Sequence, residues 1–154
     1  MGKVIVGVIS DTHGLLRQEA VDALQGSNYI IHAGDIGDPT ILYKLAKIAP
    51  VTAVRGNVDH GDWTQKIPST NVLEVNGISF YVLHKLEDLD LQPAAAGFAA
   101  VIYGHTHNAK QEKKNGVLYF NPGSAGPRRF QLPISIGQLI IENGAVQAEI
   151  KILG

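Results

Sequence analysis

Short apolar runs and polar breaks alternate along the first third of the chain. Segments 4–9, 29–33 and 51–54 are apolar, and each is followed at once by a short polar motif. Between them, 15–24 carries Leu16, Ala20, Ala23 and Leu24, and 40–49 carries Ile41, Leu42, Leu45, Ala46 and Ala49. Both sets recur at the three-and-four spacing of one helix face. Pro39 suits a first helical turn, where its missing N–H costs nothing. The order strand, helix, strand, helix, strand predicts a parallel βαβαβ unit.

Beyond residue 70 the pattern changes, with Asn-Gly at 76–77, 115–116 and 143–144, each between strand-like runs. Both residues of that dipeptide tolerate the positive φ that two-residue hairpin turns require. The expected hairpins pair 71–75 with 78–83, 110–114 with 117–120, and 136–142 with 145–153. A short helix over 91–96 and a strand over 99–103 complete the set. Parallel strands bury both faces and hairpins usually one, so the expected fold is α/β, two sheets packed face to face with helices outside. Residues 1–154 are read as a single domain, and 122–133 as a functional loop.

Composition narrows the function. With 45% hydrophobic and 18% charged residues, 154 residues bury one sizeable core without disulfide or metal staples, so any metal serves chemistry. The net charge of −1 gives no footprint for a long nucleic acid or a membrane. The absence of cysteine removes disulfides, thiolate zinc sites and cysteine nucleophiles together. Asp11 interrupts the first apolar run too early for a signal-peptide core or a membrane span, and a cytoplasmic location is expected. Homo-oligomerisation is left open.

The chemistry lies in five motifs that directly follow expected strands: Asp11-Thr12-His13, Gly34-Asp35, Gly56-Asn57-Val58-Asp59, His84, and Gly104-His105-Thr106-His107. Strand carboxyl ends are where open α/β sheets bind ligands. Asp-x-His and His-x-His place two donors on one side of an extended segment, so each can chelate. Asp35 has two carboxylate oxygens and can hold one cation with each, while Asn57 and His84 add neutral donors, which makes a mixed N/O site for two metals. Gly34, Gly56 and Gly104 leave room for close approach of the backbone. His32, inside a strand, is read as hydrogen-bonding between layers, and Asp59 as holding the turn of its loop.

These motifs, in this order, resemble the calcineurin-like metallophosphoesterases, and among them the small YfcE-like phosphodiesterase branch. The resemblance runs from Lys3 to about Arg128 and includes Asn121-Pro122-Gly123-Ser124. It implies a four-layer α-β-β-α sandwich with two divalent cations at the strand ends. One metal would take Asp11, His13, Asp35 and His107; the other would share Asp35 and take Asn57, His84 and His105. Mn²⁺ is the first expectation, and Ni²⁺, Fe²⁺, Co²⁺ or Zn²⁺ also suit N/O donors. The implied reaction is phosphoester hydrolysis by a hydroxide bridging the two metals, on a small phosphoester substrate. Asn57 would contact substrate as well as metal and take part in catalysis, His60 is a candidate substrate contact, and Arg128 or Arg129 would grip phosphate oxygens.

Two positions depart from the family pattern. Val58 stands where many members outside the branch have a histidine that protonates the leaving group; His60, another histidine or an unassisted leaving group would substitute. Lys85 stands where the branch often has glycine. The alternatives are an interaction scaffold on the same fold, or a phosphomonoesterase or nuclease using the same site.

Overall fold

The structure, a computed structural model, describes residues 2–154. In chain order its elements are β1 (Val4–Ile9), α1 (Gln18–Leu24), β2 (Tyr29–His32), α2 (Pro39–Ala46), β3 (Val51–Ala53), β4 (Thr70–Val75), β5 (Ile78–Leu83), β6 (Phe98–Ile102), β7 (Lys110–Lys114), β8 (Val117–Asn121), β9 (Ser135–Glu142) and β10 (Ala145–Ile152). Short 3₁₀ turns at Asp62–Lys66 and Leu86–Asp88 were not expected.

The strands form two five-stranded sheets, in the orders β10-β9-β1-β2-β3 and β4-β5-β6-β8-β7. In the first, β1, β2 and β3 are parallel and β9 runs against β1. In the second, β5, β6 and β8 are parallel, with antiparallel β4 and β7 at the edges. The three expected hairpins form, and Asn76, Asn115 and Asn143 each take positive φ before a positive-φ glycine.

Alternation along β1 sends Val6 and Val8 between the sheets, where they meet Phe80, Val82, Ile102 and Phe120, and Ile9 to the opposite face. There Ala20 and Leu24 of α1 and Ile41 and Leu45 of α2 close a second core. The fourth layer is thin. Leu86, Leu89 and Leu91 cover Tyr81, Leu83 and Val101 on the outer face of the second sheet. The expected helix over 91–96 is a series of turns, because Pro93 lacks an N–H, Ala94 to Ala96 are exposed and offer no apolar stripe, and Gly97 at φ +87° ends the segment. No helix among the described residues is long and apolar enough to cross a membrane.

Candidate metal centre

Asp11, His13, Asp35, His105 and His107 all sit at positive φ, between 46° and 75°. Such conformations cost non-glycine residues on the order of 1–3 kcal/mol each and persist where the surroundings over-determine them. Their effect is to gather donors. The donor atoms of Asp11, His13 and His107 lie within 4.8 Å of one another, and those of Asp35, His84 and His105 make a second such group. The groups adjoin: Asp35 Oδ2 lies 3.1 Å from His84 Nε2 and 3.6 Å from His13 Nε2. Asp11 Oδ1 lies 3.5 Å from His107 Nε2 and 3.8 Å from both His13 Nε2 and His84 Nε2.

The residues fit divalent cations. His84 Nδ1 donates to Ala33 O at 2.7 Å, which leaves Nε2 as the free lone pair of a neutral ring. That Nε2 and Asp11 Oδ1 are buried without a hydrogen-bond partner. His13 Nε2 and His107 Nε2 face each other at 3.3 Å, where two bare lone pairs would repel. Carboxylate oxygens and imidazole nitrogens together suit borderline first-row metals.

Without a cation the charges are in conflict. Burial pushes the Asp11 carboxyl up, outweighing the pull of His84, Ser10 and His107. Burial also opposes ionisation of Asp35, but His84 and the Val58 N–H hold its pKa below the usual carboxylate range. For His84, burial opposes the charge while Asp35 and Asp11 favour it, and the carboxylates prevail, raising its pKa. His107 is lowered by burial against the attraction of Asp11, with Arg129 adding to the lowering.

Polar groups away from the donors hold the loops. Asp11 Oδ2 accepts from Ser10 Oγ at 2.7 Å and from His105 N at 3.1 Å, which ties the loop after β1 to the loop after β6 and frees Oδ1. Buried Asp59 accepts from Ile36 N, Gly37 N and Gly56 N at 2.8–3.1 Å, so it joins the loop after β2 to its own rather than merely closing a turn. Asn121 Nδ2 donates to Gly104 O and Ser124 Oγ to Asp11 O, making the segment after β8 a strut under both chelating motifs. Ser10, Asn121 and Ser124 position the donors and are not singled out by the sequence pattern, because Asn121 and Ser124 also close local turns by accepting from Gly123 N and Gly126 N, the ordinary role of such residues in a loop. His32 binds Thr12 Oγ1 at 3.0 Å and accepts from Gly34 N, within the layer of the first sheet and not between layers. Space is equally constrained. A Cβ on Gly34 would come within 2.6 Å of His84 Nδ1, and one on Gly56 would overlap the Asp35 carboxylate.

The remaining expected residues lie around these carboxylates and imidazoles. Asn57 is exposed and lines a cleft with His84, Arg55 and Lys85. Exposed Val58 has an apolar side chain, and its N–H donates to Asp35 Oδ1 at 3.1 Å. His60 is exposed and belongs to neither donor group. Arg128 Nη1 donates to Leu132 O at 3.1 Å within its own loop, and Arg129 is the arginine whose charge reaches His107.

The chain is 34% identical over 156 residues to a protein of Methanocaldococcus jannaschii named probable metallophosphoesterase, covering 92% of this chain and 78% of that one. Among solved structures, one described as a novel archaeal phosphodiesterase superposes with a TM-score of 0.78 at 23% identity, covering 96% of this chain and 100% of that one. Vps29 of Entamoeba histolytica complexed with zinc superposes with a TM-score of 0.73 at 22% identity, covering 98% and 100%. Both likenesses concern the fold. Residues 4–144 match the calcineurin-like phosphoesterase superfamily domain, and the chain belongs to that superfamily.

Proposed function

We propose that the chain is a divalent-metal-dependent phosphodiesterase of small phosphoesters, with Asp11, His13, Asp35 and His107 holding one cation and Asp35, Asn57, His84 and His105 the other. The observation that carries this reading is the pair of adjoining donor groups, with Asp35 Oδ2 within 3.6 Å of a histidine of each. When bound, two divalent cations supply a hydroxide nucleophile at neutral pH and stabilise charge on the phosphoryl oxygens. The residues do the rest. Asp11 and Asp35 offset half of the four positive charges, and neutral imidazoles leave the remainder to attract a phosphoester anion. Asp35, lowered in pKa, stays ionised across the neutral range. His84, fixed through Ala33 O, presents Nε2 to the centre. Exposed Asn57 orients a phosphoryl oxygen from the cleft side. Mn²⁺ is the proposed metal, and a small phosphoester in the cytoplasm the proposed setting.

Val58 cannot donate a proton, so the leaving group departs unaided or with help from exposed His60. The test is hydrolysis of bis(p-nitrophenyl) phosphate by chelated protein with and without added Mn²⁺, followed by a leaving-group series. Activity restored by metal, with activated aryl esters far outrunning alkyl ones, is expected. A flat series with chemistry rate-limiting would make His60 an internal acid, and its replacement by Ala would then cost about 10²–10⁴-fold. Inactivity with every metal tried would point to the interaction scaffold instead.

A further inference from the structure

β10 is an edge of the first sheet and pairs with β9 without a bulge, from Ala145 opposite Glu142 to Ile152 opposite Ser135. An open edge of that length offers its unpaired N–H and C=O groups to another strand, and proteins ordinarily blunt it with lysines, proline or a bulge. The companion edge is blunted. β3 meets β4 at one side of the sandwich, where the Asn71 amide donates to Ala53 O, so β7 and β10 share the other side. Every residue of β7 is exposed, and Lys110, Lys113 and Lys114 are among them. β10 has Lys151 alone and no proline, and its Ile152 side chain is 60% exposed.

Register decides what fits this edge. Leu153 N donates to Ile134 O at 2.7 Å, so the odd-numbered residues of β10 turn their backbone groups to β9 and the even-numbered ones turn theirs outward. The side chains of Val146, Ala148 and Ile150 pack against the core between the sheets, which puts Glu149 and Lys151 on the other face. Among the described residues neither Glu149 nor Lys151 belongs to an ion pair. A second copy laid antiparallel along the edge must set even residues opposite even ones. With Ile150 on the two-fold axis, Glu149 of each copy faces Lys151 of the other, and exposed Ile152 of each faces Ala148 of the other. The charged pairs then fall at the non-hydrogen-bonded positions, where side chains come closest. Moving the axis to residue 149 sets glutamate against glutamate, and moving it to residue 151 sets lysine against lysine.

We propose that β10 is a homodimerisation edge, on which two copies of the chain join antiparallel about Ile150 into one continuous sheet. The occupant is a second copy because the edge is complementary to itself, in charge and in apolar cover, as a two-fold assembly requires. The lysines of β7 keep the second sheets from pairing, so the contact is confined to the first.

The test is sedimentation velocity of the full chain across a dilution series at low salt, where a reversible monomer–dimer equilibrium is expected. Glu149→Lys and Lys151→Glu each turn two attractive cross-strand pairs into repulsive ones, and each should weaken the dimer about tenfold or more. Both changes in one chain restore the complementarity and should return the dissociation constant to near the parent value. An equimolar mixture of the two single variants should associate more tightly than either alone, since each offers the charges that the other lacks. Unfolding midpoints close to the parent's would show that the variants fold. A parent that stays monomeric throughout the series, a dimer indifferent to either single reversal, or a double variant as weak as the single ones would each overturn the proposal. None of these outcomes bears on the metal centre, which is tested separately.

Discussion

His32 is fully buried, with a hydrogen bond at each ring nitrogen. The Gly34 N–H occupies Nδ1, so the proton sits on Nε2 and is donated to Thr12 Oγ1, which in turn donates to Ile36 O. One neutral imidazole thus sets the spacing of the loops that carry Asp11, His13 and Asp35. Burial, with His84 and His13 adding to it, holds its pKa at about 3 against a usual 6.5. Because the folded pKa lies below the unfolded one, this contribution is complete above pH 6.5 and is lost as pH falls through that window. Between pH 7 and pH 5 the metal-free protein should lose on the order of 2 kcal/mol from this group. Urea unfolding at both pH values checks it, with His32→Gln expected to flatten the dependence. An equal slope in the variant would mean that His32 is not kept neutral by the fold.

Loops rather than regular elements carry the donors, and their mutual ties set the precision of the site. Asp59 is the clearest case, since both its oxygens accept from backbone N–H groups on two loops. Asp59→Asn places an amide N–H against a backbone N–H, and should cost about 2–4 kcal/mol of stability. It should also weaken metal binding at the group containing Asp35, because the Asp35 loop loses its anchor. Denaturant unfolding and metal titration of the same variant check both, and an unfolding midpoint within error of the parent would refute the clamp. Such ties were not legible in the sequence, since the Asp59 bonds to Ile36 and Gly37 span more than twenty residues and depend on how the loops pack. The elements that were legible have local causes. Asn-Gly at three positions marks hairpins through its tolerance of positive φ, and the apolar spacing of α2 marks its buried face. The segment 91–96 misled because its alanines favour a helix but have nothing to pack against.

At the scale of the whole molecule, two sheets packed face to face bring the carboxyl ends of β1, β2, β5 and β6 to one edge, and with them both donor groups. The motifs announced this edge, because each polar motif stops an apolar strand. The pairing of β5, β6 and β8 as parallel neighbours and the cleft beside His84 depend on long-range packing and had no local signature. Metal binding should be coupled to the stability of the entire fold, since the unfolded chain lacks the site. A cation at about 100 times its dissociation constant should add roughly 2.7 kcal/mol, a Tm rise of about 5–10 °C for a domain of this length. The decisive measurement is calorimetric titration of metal-free protein with Mn²⁺, for the parent and for Asp35→Asn. Two equivalents should bind the parent, and Asp35→Asn should weaken both, with its Tm rise nearly abolished. Two tight sites retained in Asp35→Asn would contradict the shared carboxylate, and fewer than two in the parent would contradict the two-cation centre itself.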